Sequence, residues 1–510
     1  MTPSRGASVA GPNRAPTGRL PTEGIARNAV FALLAQLTTG FFTTVVTLYL
    51  VRALGTKGFG LFALALGVGR LAALAADLGI PQSLARFLAE KRGDQRAAVG
   101  LLGDAVRLKV ATGALVAAAL FAAAGPIAAA YGQPALAWPV RGIALSLFAE
   151  SLLNLYVAAF IALGRNAVNL RLTFLESLME MVAIVSLVAL GAGAAGAAFG
   201  RAGGYAFGAI VGTWVVARRF GRAAVLARPT GRTRQLATYA VPTFLTNGIY
   251  RLYTQVDVLI IGALLGTSAV GVWAAPLRLT IPLAYVGQAL ANSVAPRQAA
   301  SAEGRNVRAF EASLRLMMIV QGLALAPIVV WANPIADLLL GHEFHRSANV
   351  LRFLAFFIFL SGVSPLISIT VNYLGQARRR IPIVASALAV NVAIDLVLLP
   401  RIGVVAAAIG TTVAYCLYVP AHFVICWREL GVRLRPLALT LARMFAAVGA
   451  MAGVLVVVGV NASSAGRLLL GAIAGTVAYA ATLVLTREIS LNEIRRGRQV
   501  VSMRLSSALR

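Results

Sequence analysis

Apolar stretches of some 20 residues recur along this 510-residue chain from Ala26 to Thr486. An α-helix rises about 1.5 Å per residue, so about 20 helical residues cross a hydrocarbon core about 30 Å thick. The stretches therefore read as spanning helices. Composition agrees, with 59% hydrophobic and 12% charged residues, against about 25% charged in a soluble domain. An ordinary globular enzyme and a long disordered scaffold are both excluded. The hydropathy pattern predicts an all-α polytopic membrane protein with fourteen spans, at 26–50, 58–80, 104–130, 138–163, 172–192, 200–217, 238–264, 268–294, 313–340, 349–374, 381–400, 403–427, 437–460 and 467–486.

The net charge of +29 would point to nucleic acid in a soluble protein, but here its placement carries the information. The amino-terminal side, the even-numbered loops and the carboxyl tail hold 31 Lys and Arg residues, among them Lys91, Arg92, Arg218, Arg219, Arg222, Arg378, Arg379 and Arg380. The odd-numbered loops hold 6 when Arg201 and Arg467 at the starts of the adjoining spans are counted with them, as Arg27 is with the amino-terminal side. By the positive-inside rule both termini are cytoplasmic, as in a multi-pass protein of a bacterial inner membrane, and no nucleic-acid partner is expected. Residues 1–24, rich in Arg, Pro, Gly and Ser, read as a disordered cytoplasmic tail rather than a cleavable signal. Residues 487–510 form a second basic tail. Cys416 and Cys426 share one span, too far apart to bridge. His342 and His345 fall in one outer loop and read as solvated. No loop exceeds about 25 residues, and no Walker-type or Rossmann-type glycine loop occurs in a cytoplasmic segment. The chemistry therefore lies within the bilayer, and the chain is not expected to be an enzyme.

An internal repeat organises the chain. A shift of 211 residues lays Leu54-Gly55-Thr56 on Leu265-Gly266-Thr267, Gly60 on Gly271, and Leu163-Gly164 on Leu374-Gly375. A shift of 210 lays Gly193 and the run Ala197-Ala198-Phe199-Gly200 on Gly403 and Ala407-Ala408-Ile409-Gly410. The repeat holds six spans, an even number, so its copies share one orientation and are related by an axis along the membrane normal. The predicted organisation is a six-helix bundle over 25–217, a cytoplasmic linker over 218–237, a second bundle over 238–427 and an added two-helix hairpin over 428–486. Such duplicated bundles suit alternating access around a central cavity.

The residues that pair the halves also carry a resemblance. The pattern Leu54-Gly55, Gly58-Phe59-Gly60-Leu61-Phe62-Ala63, then Asp77-Leu78-Gly79, then Leu84 and Arg86-Phe87 resembles the polysaccharide flippases of O-antigen type. Asp257, Gly262, Leu265-Gly266 and Val270-Gly271 look like the same family's second half, as does Leu374-Gly375 before a basic loop. The resemblance covers residues 25–486. The wider superfamily includes multidrug and toxic-compound extrusion transporters and the lipid II flippase. It implies two bundles opening alternately to either side, and a polyprenyl-diphosphate-linked sugar or oligosaccharide as substrate. It also implies neighbours such as a glycan polymerase and a chain-length regulator.

A charge at mid-bilayer costs about 2.5–3.5 kcal/mol on insertion scales, so buried charges need a lumen or a partner. Arg70, Asp77, Glu150, Glu176, Glu180, Arg251, Asp257, Arg278 and Asp395 all fall inside predicted spans, while Asp77 and Arg315 lie near a boundary where they can snorkel. On helix 7, Thr243, Asn247, Arg251 and Gln255 are spaced by four and form one stripe; Thr246, Tyr250, Tyr253 and Asp257 form a second. On helix 1, Gln36, Thr39, Thr43 and Thr47 share a face, and Gln36 maps onto Asn247. Arg70, Arg251 and Arg278 make a cationic cluster whose guanidinium forks suit diphosphate oxygens; otherwise they pair with Glu150, Glu176 or Glu180 and hold the bundle together. Gln36, Asn247 and Gln255 complete the candidate lumen. Glu176 and Glu180 share a face of helix 5, as a proton carrier or as an Arg-bridged pair. Asn391 and Asp395, four apart on helix 11, with Thr411 on helix 12, present oxygen ligands for a small hard cation. This spacing is similar to the sodium site of the lipid II flippase, whose helix 7 carboxylate Asp257 would supply. Sodium or a proton is the only cofactor expected.

The expected function is the flipping of a lipid-linked sugar from the cytoplasmic to the outer face. The competing reading is an ion-coupled exporter of small amphipathic molecules or drugs. The charge bias makes a direct prediction. In a variant lacking native cysteines, Thr230→Cys and Ala377→Cys should be shielded from an impermeant thiol reagent in intact cells, and Ser463→Cys should be labelled. Labelling at position 230 would reverse the orientation.

Overall fold

The computed structural model describes residues 25–90, 95–221, 248–300, 307–460 and 464–489. The predicted amino-terminal tail, residues 490–510 of the carboxyl tail, most of the linker, and Thr243, Thr246 and Asn247 lie outside the described residues. Among the described residues all regular structure is helical. The first half comprises α1 (Ile25–Asp77), α2 (Ile80–Glu90), α3 (Gln95–Ala130), α4 (Ala137–Ala162), α5 (Asn166–Leu187) and α6 (Gly193–Phe220). The second comprises α7 (Val256–Leu265), α8 (Thr267–Ala300), α9 (Val307–Gly322), α10 (Leu325–Val330), α11 (Ala332–Ile335), α12 (Ser347–Tyr373), α13 (Arg380–Ile402) and α14 (Val405–Leu430). The last two helices are α15 (Leu434–Val458) and α16 (Ala465–Leu485).

Among the described residues, eleven helical stretches are long and apolar enough to cross a membrane. Two of them are double. Val30–Asp77, 48 residues, bends at Gly55, and Asn166–Phe220, 55 residues, bends around Gly191 and Gly193. Each supplies two predicted spans, because about 20 residues suffice for one crossing. The remaining predicted span, 268–294, lies within α8, which carries Arg278, Thr280 and Gln288 along a cavity. The span predicted at 313–340 is not one helix but the broken series α9, α10 and α11. Pro327 and Pro334 lack a backbone N–H, and each clashes with the carbonyl four residues earlier, so the helix breaks just upstream of both.

The repeat is written into the backbone. Gly55 (φ 63°, ψ −175°) and Gly266 (φ 81°, ψ −179°) make the same left-handed bend after the first helix of each half. Gly193 (φ 55°, ψ −140°) and Gly403 (φ 68°, ψ −154°) repeat the match before α6 and α14. These positive φ values suit glycine because it has no Cβ. Just past the first bends the halves touch: a Cβ on Gly60 would strike the Thr267 carbonyl, and one on Gly271 would strike the Thr56 carbonyl. The contact is reciprocal, as expected about an axis between two copies. Arg52 Nη2 donates to the Leu338 carbonyl at 2.6 Å, and the Thr56 N–H donates to Glu343 Oε2 at 3.3 Å. These contacts draw together the ends that the charge bias predicts to be external.

A second glycine stripe, Gly196, Gly200, Gly204 and Gly208, runs along α6 at intervals of four. It brings the backbone of α5 into contact at Leu187, Ile184 and Glu180 in turn, and the Glu176 side chain onto Gly208. Small residues at this spacing let helices approach closely in lipid, where packing rather than water drives association.

The final helices dock through ions. Glu488, just past α16, accepts from Arg315 Nε (2.7 Å), Thr440 Oγ1 (2.7 Å) and Arg443 Nη1 (2.9 Å), and Arg433 Nη2 donates to Glu311 Oε2 (2.8 Å). Arg315 is thus paired rather than simply snorkelling. Burial opposes ionisation of Glu488, but these three donors outweigh it and hold the carboxyl below its ordinary range. Stability from such a group is present above its unfolded value of about 4.3 and disappears as pH falls through the folded value. Thermal unfolding of the purified protein should therefore lose a contribution below about pH 4 that Glu488→Gln lacks at every pH. Parallel acid profiles for the two proteins would contradict this.

Candidate functional site

Two cavities adjoin where the halves meet. One, of about 280 Å³, is lined by Arg70, Asp77, Ser146, Glu150, Arg201 and Arg251 among others. The second, of about 470 Å³, is lined by residues including Arg70, Tyr250, Asp257, Arg278, Tyr285 and Tyr415. Leu66, Arg70, Thr254 and Gln255 line both. The structure thus brings together Arg70, Arg251, Arg278 and Gln255. Gln36 does not line either cavity, and its buried Oε1 has no hydrogen-bond partner among the described residues. Thr39 turns its hydroxyl to the Ala35 carbonyl of its own helix (3.2 Å).

Helix 7 departs from the continuous stripe predicted for it. The helix breaks at Thr254 and Gln255 before α7 begins. Thr254 Oγ1 donates to the Arg251 carbonyl at 2.8 Å, a side-chain bond that competes for a helical acceptor. The break leaves Gln255 at the cavity wall and starts α7 with Asp257 in its first turn.

The charges sort into three groups. Arg251 Nη1 donates to Asp77 Oδ2 at 2.8 Å, and the fully buried Lys109 donates to Asp77 Oδ1 and to the Ala76 carbonyl (3.0 Å). Asp77 is therefore a bridge between halves rather than a snorkelling end residue. Arg201 forms the second group, pairing with Glu180 Oε1 (2.6 Å) and Glu150 Oε2 (3.3 Å) and lying over the Tyr205 ring at 4.5 Å. Glu180 is Arg-bridged, then, but by Arg201 and not by the three arginines singled out above. Glu176 accepts only from Ser177 (3.0 Å), and its buried Oε1 has no partner among the described residues. The third group is Arg70 and Arg278. Neither has a carboxylate partner among the described ion pairs; Arg278 lies 5.4 Å from the Phe62 ring centroid and 5.7 Å from that of Phe59. Sequence reasoning missed Lys109 and Arg201 because both lie near the start of their spans, where charge is commonly interfacial. Their signal was a cation set within reach of carboxylates on neighbouring spans.

A separate polar cage joins helix 7 to α13 and α14. Asp257 accepts from Thr411 Oγ1 at 2.7 Å and from Asn391 Nδ2. Asp395 adjoins Asp257 closely enough for the two carboxyls to share a proton; apart from that, its two oxygens, with Asn391 Oδ1 and the nearby Tyr253 hydroxyl, are buried with no hydrogen-bond partner among the described residues. Asn391 and Asp395 are fully buried. Buried polar atoms are ordinarily paired, so this cluster of two carboxyls, an amide oxygen and a hydroxyl has acceptor capacity that a shared proton or a small cation would use. The four residues predicted to share an ion do converge, and Tyr253 joins them. Among the described residues no group of three or more His, Cys, Asp or Glu could hold a metal ion; two of the ligands here are an amide and a hydroxyl.

Comparisons with known proteins agree with this architecture. Residues 25–297 match the family model described as polysaccharide biosynthesis protein, more than half of the chain. The chain belongs to that family. Residues 242–397 also match the MatE model. No curated protein sequence matches significantly. Among solved structures, this polysaccharide biosynthesis protein is similar to the lipid II flippase MurJ in an inward closed conformation, at TM-score 0.71 and 11% identity over 91% of this chain and 99% of that one. It is also similar to an inward-facing multidrug resistance MATE family transporter of the MOP superfamily, at TM-score 0.63 and 16% identity over 79% and 98%. A third is a MOP superfamily transporter from Pyrococcus furiosus with a binding pocket of reverse polarity, at TM-score 0.57 and 16% identity over 79% and 95%. At these identities the likeness shows a shared fold.

Proposed function

We propose that this protein flips a polyprenyl-diphosphate-linked sugar or oligosaccharide from the cytoplasmic to the outer face of the inner membrane by alternating access. The observation that carries the reading is the pair Arg70 and Arg278. They are two guanidinium groups on opposite halves, both lining the same cavity, with no carboxylate partner among the described ion pairs. Unpaired cations at membrane depth are costly unless a ligand completes them. A diphosphate carries about two negative charges and offers the oxygens that guanidinium forks fit in bidentate fashion. Asp77 stands in for that anion at Arg251 and can fall back on Lys109 when phosphate oxygens take its place. The apolar tail stays in lipid beside α15 and α16, whose exposed face includes Leu469, Leu470 and Ile473. With the interior negative, outward movement of about two negative charges across about 100 mV gains about 4.6 kcal/mol. No covalent bond changes.

The oxygen cage supplies the coupling site. Asp257, Asn391, Asp395 and Thr411, with Tyr253, would hold one sodium ion or a proton, tying helix 7 to α13 and α14. An ion bound there biases the second half toward the state in which the cage is intact, by the difference in its affinity for the two states. The MatE match favours a second reading, an ion-coupled exporter of small amphipathic molecules. A cationic cargo of that kind would meet Arg70 and Arg278 as like charges.

In proteoliposomes, Arg70→Ala and Arg278→Ala should each lower flipping of a fluorescent polyprenyl-diphosphate sugar by about 10- to 100-fold, the worth of a lost charge-assisted hydrogen bond. Lysine at either position should restore it only in part, because a point charge lacks the fork. Full activity in both alanine variants, or efflux of a cationic dye that they leave intact, would favour the exporter. In the same vesicles at fixed pH and potential, an imposed sodium gradient should change the wild-type rate more than that of Asp395→Asn. Identical responses would remove sodium from the cage.

A further inference from the structure

The repeat places the two ionic clusters at the same station of the fold. Under the 210-residue shift Gly200 falls on Gly410, and the structure keeps that register: a Cβ on Gly200 would press on Ile184, and one on Gly410 on Ile394, its counterpart under the same shift. The next residue along is Arg201 in α6 and Thr411 in α14, and Tyr205 falls on Tyr415. On the partner helices, Glu180 in α5 stands one residue before the counterpart of Asn391 in α13.

The two stations differ in who supplies the positive charge. In the first half, Arg201 reaches Glu180 at 2.6 Å and Glu150 at 3.3 Å, and Tyr205 accepts from it at 3.0 Å. In the second half, Thr411 carries no charge, and beside it the Asp395 oxygens and Asn391 Oδ1 meet no cation among the described residues, only a proton that Asp395 and Asp257 can share. We propose that Arg201 is a tethered cation, filling in the first half the place that an exchangeable monovalent cation takes in the second. The idea extends the cage reading given above, but its own evidence is the Arg201 cluster. One half thereby keeps a permanent counter-ion and packs as a fixed unit, while the other depends on an ion from solution. Replacing the guanidinium with a short neutral side chain leaves Glu150 and Glu180 without a cation, beside the unpartnered, buried Glu176 Oε1. That change recreates an acidic cage of the kind found around Asp395.

The test is thermal unfolding of the purified full-length chain in detergent, in sodium chloride or N-methylglucamine chloride at equal ionic strength. Arg201→Thr in an Asp395→Asn background should melt lower than Asp395→Asn alone in N-methylglucamine and recover part of the loss as sodium rises. Arg201→Lys in that background should show no sodium response, and adding Glu180→Gln to the threonine variant should abolish it. Equal melting temperatures in the two salts for the Arg201→Thr variant would overturn the proposal, as would its failure to fold even in saturating sodium. A lysine variant that responds like the threonine variant would overturn it as well. Separately, a wild-type protein that ignores sodium while the Arg201→Thr variant responds would remove sodium from the Asp395 cage and leave the tethered cation standing.

Discussion

A charged side chain inside a bilayer has no water to fall back on, and the arrangement of this protein follows from how each one is satisfied. Asp77 is held between Lys109 and Arg251, and Glu180 and Glu150 are held by Arg201. After these pairings two guanidinium groups remain at the junction of the halves and two carboxylates remain between helix 7, α13 and α14. The first pair faces a cavity and the second closes on itself, so two unbalanced guanidinium groups and a pair of adjoining carboxyls lie within one polar interior. Asp257 connects the two, since it lines the larger cavity and accepts from Asn391 and Thr411.

Close helix approach makes this interior possible. Glycine at every fourth position of α6 lets α5 lie directly on it, which is why Glu180 and Arg201 come within 2.6 Å. The reciprocal contact of Gly60 and Gly271 does the same between halves. The ion pair Asp77–Arg251 crosses between the same halves along the opposite stretch of α1, toward its carboxyl end. An anionic ligand that competes for Arg251 thus acts on one of the contacts that hold the halves together.

Much of the fold was legible in the sequence because its signals are one-dimensional. Hydropathy marked the spans, and every one has a helical counterpart. The bends at Gly55 and Gly266 were visible as a repeated tripeptide, since a left-handed φ restricts the residue type at that single position. The oxygen cage was readable because Asn391 and Asp395 stand one turn apart on a single helix. The broken segment over 307–340 and the interruption at Thr254 were not read, although Pro327 and Pro334 were in plain view; hydropathy averages over a window and does not register a local break.

What only the tertiary structure decided was which charge answers which. The cluster of Arg70, Arg251 and Arg278 was recognisable as cations at membrane depth, but sequence spacing within a helix says nothing about neighbours on other helices. Arg201 took Glu150 and Glu180, two of the three carboxylates that were the alternative partners of those arginines, and Lys109 shares Asp77 with Arg251, because the glycine contacts and helix crossings set those distances. Tyr253 joined the cage for the same reason. Sequence alone determined that polar groups had to be gathered inside an apolar shell; the packing of that shell determined which of them were left for a ligand.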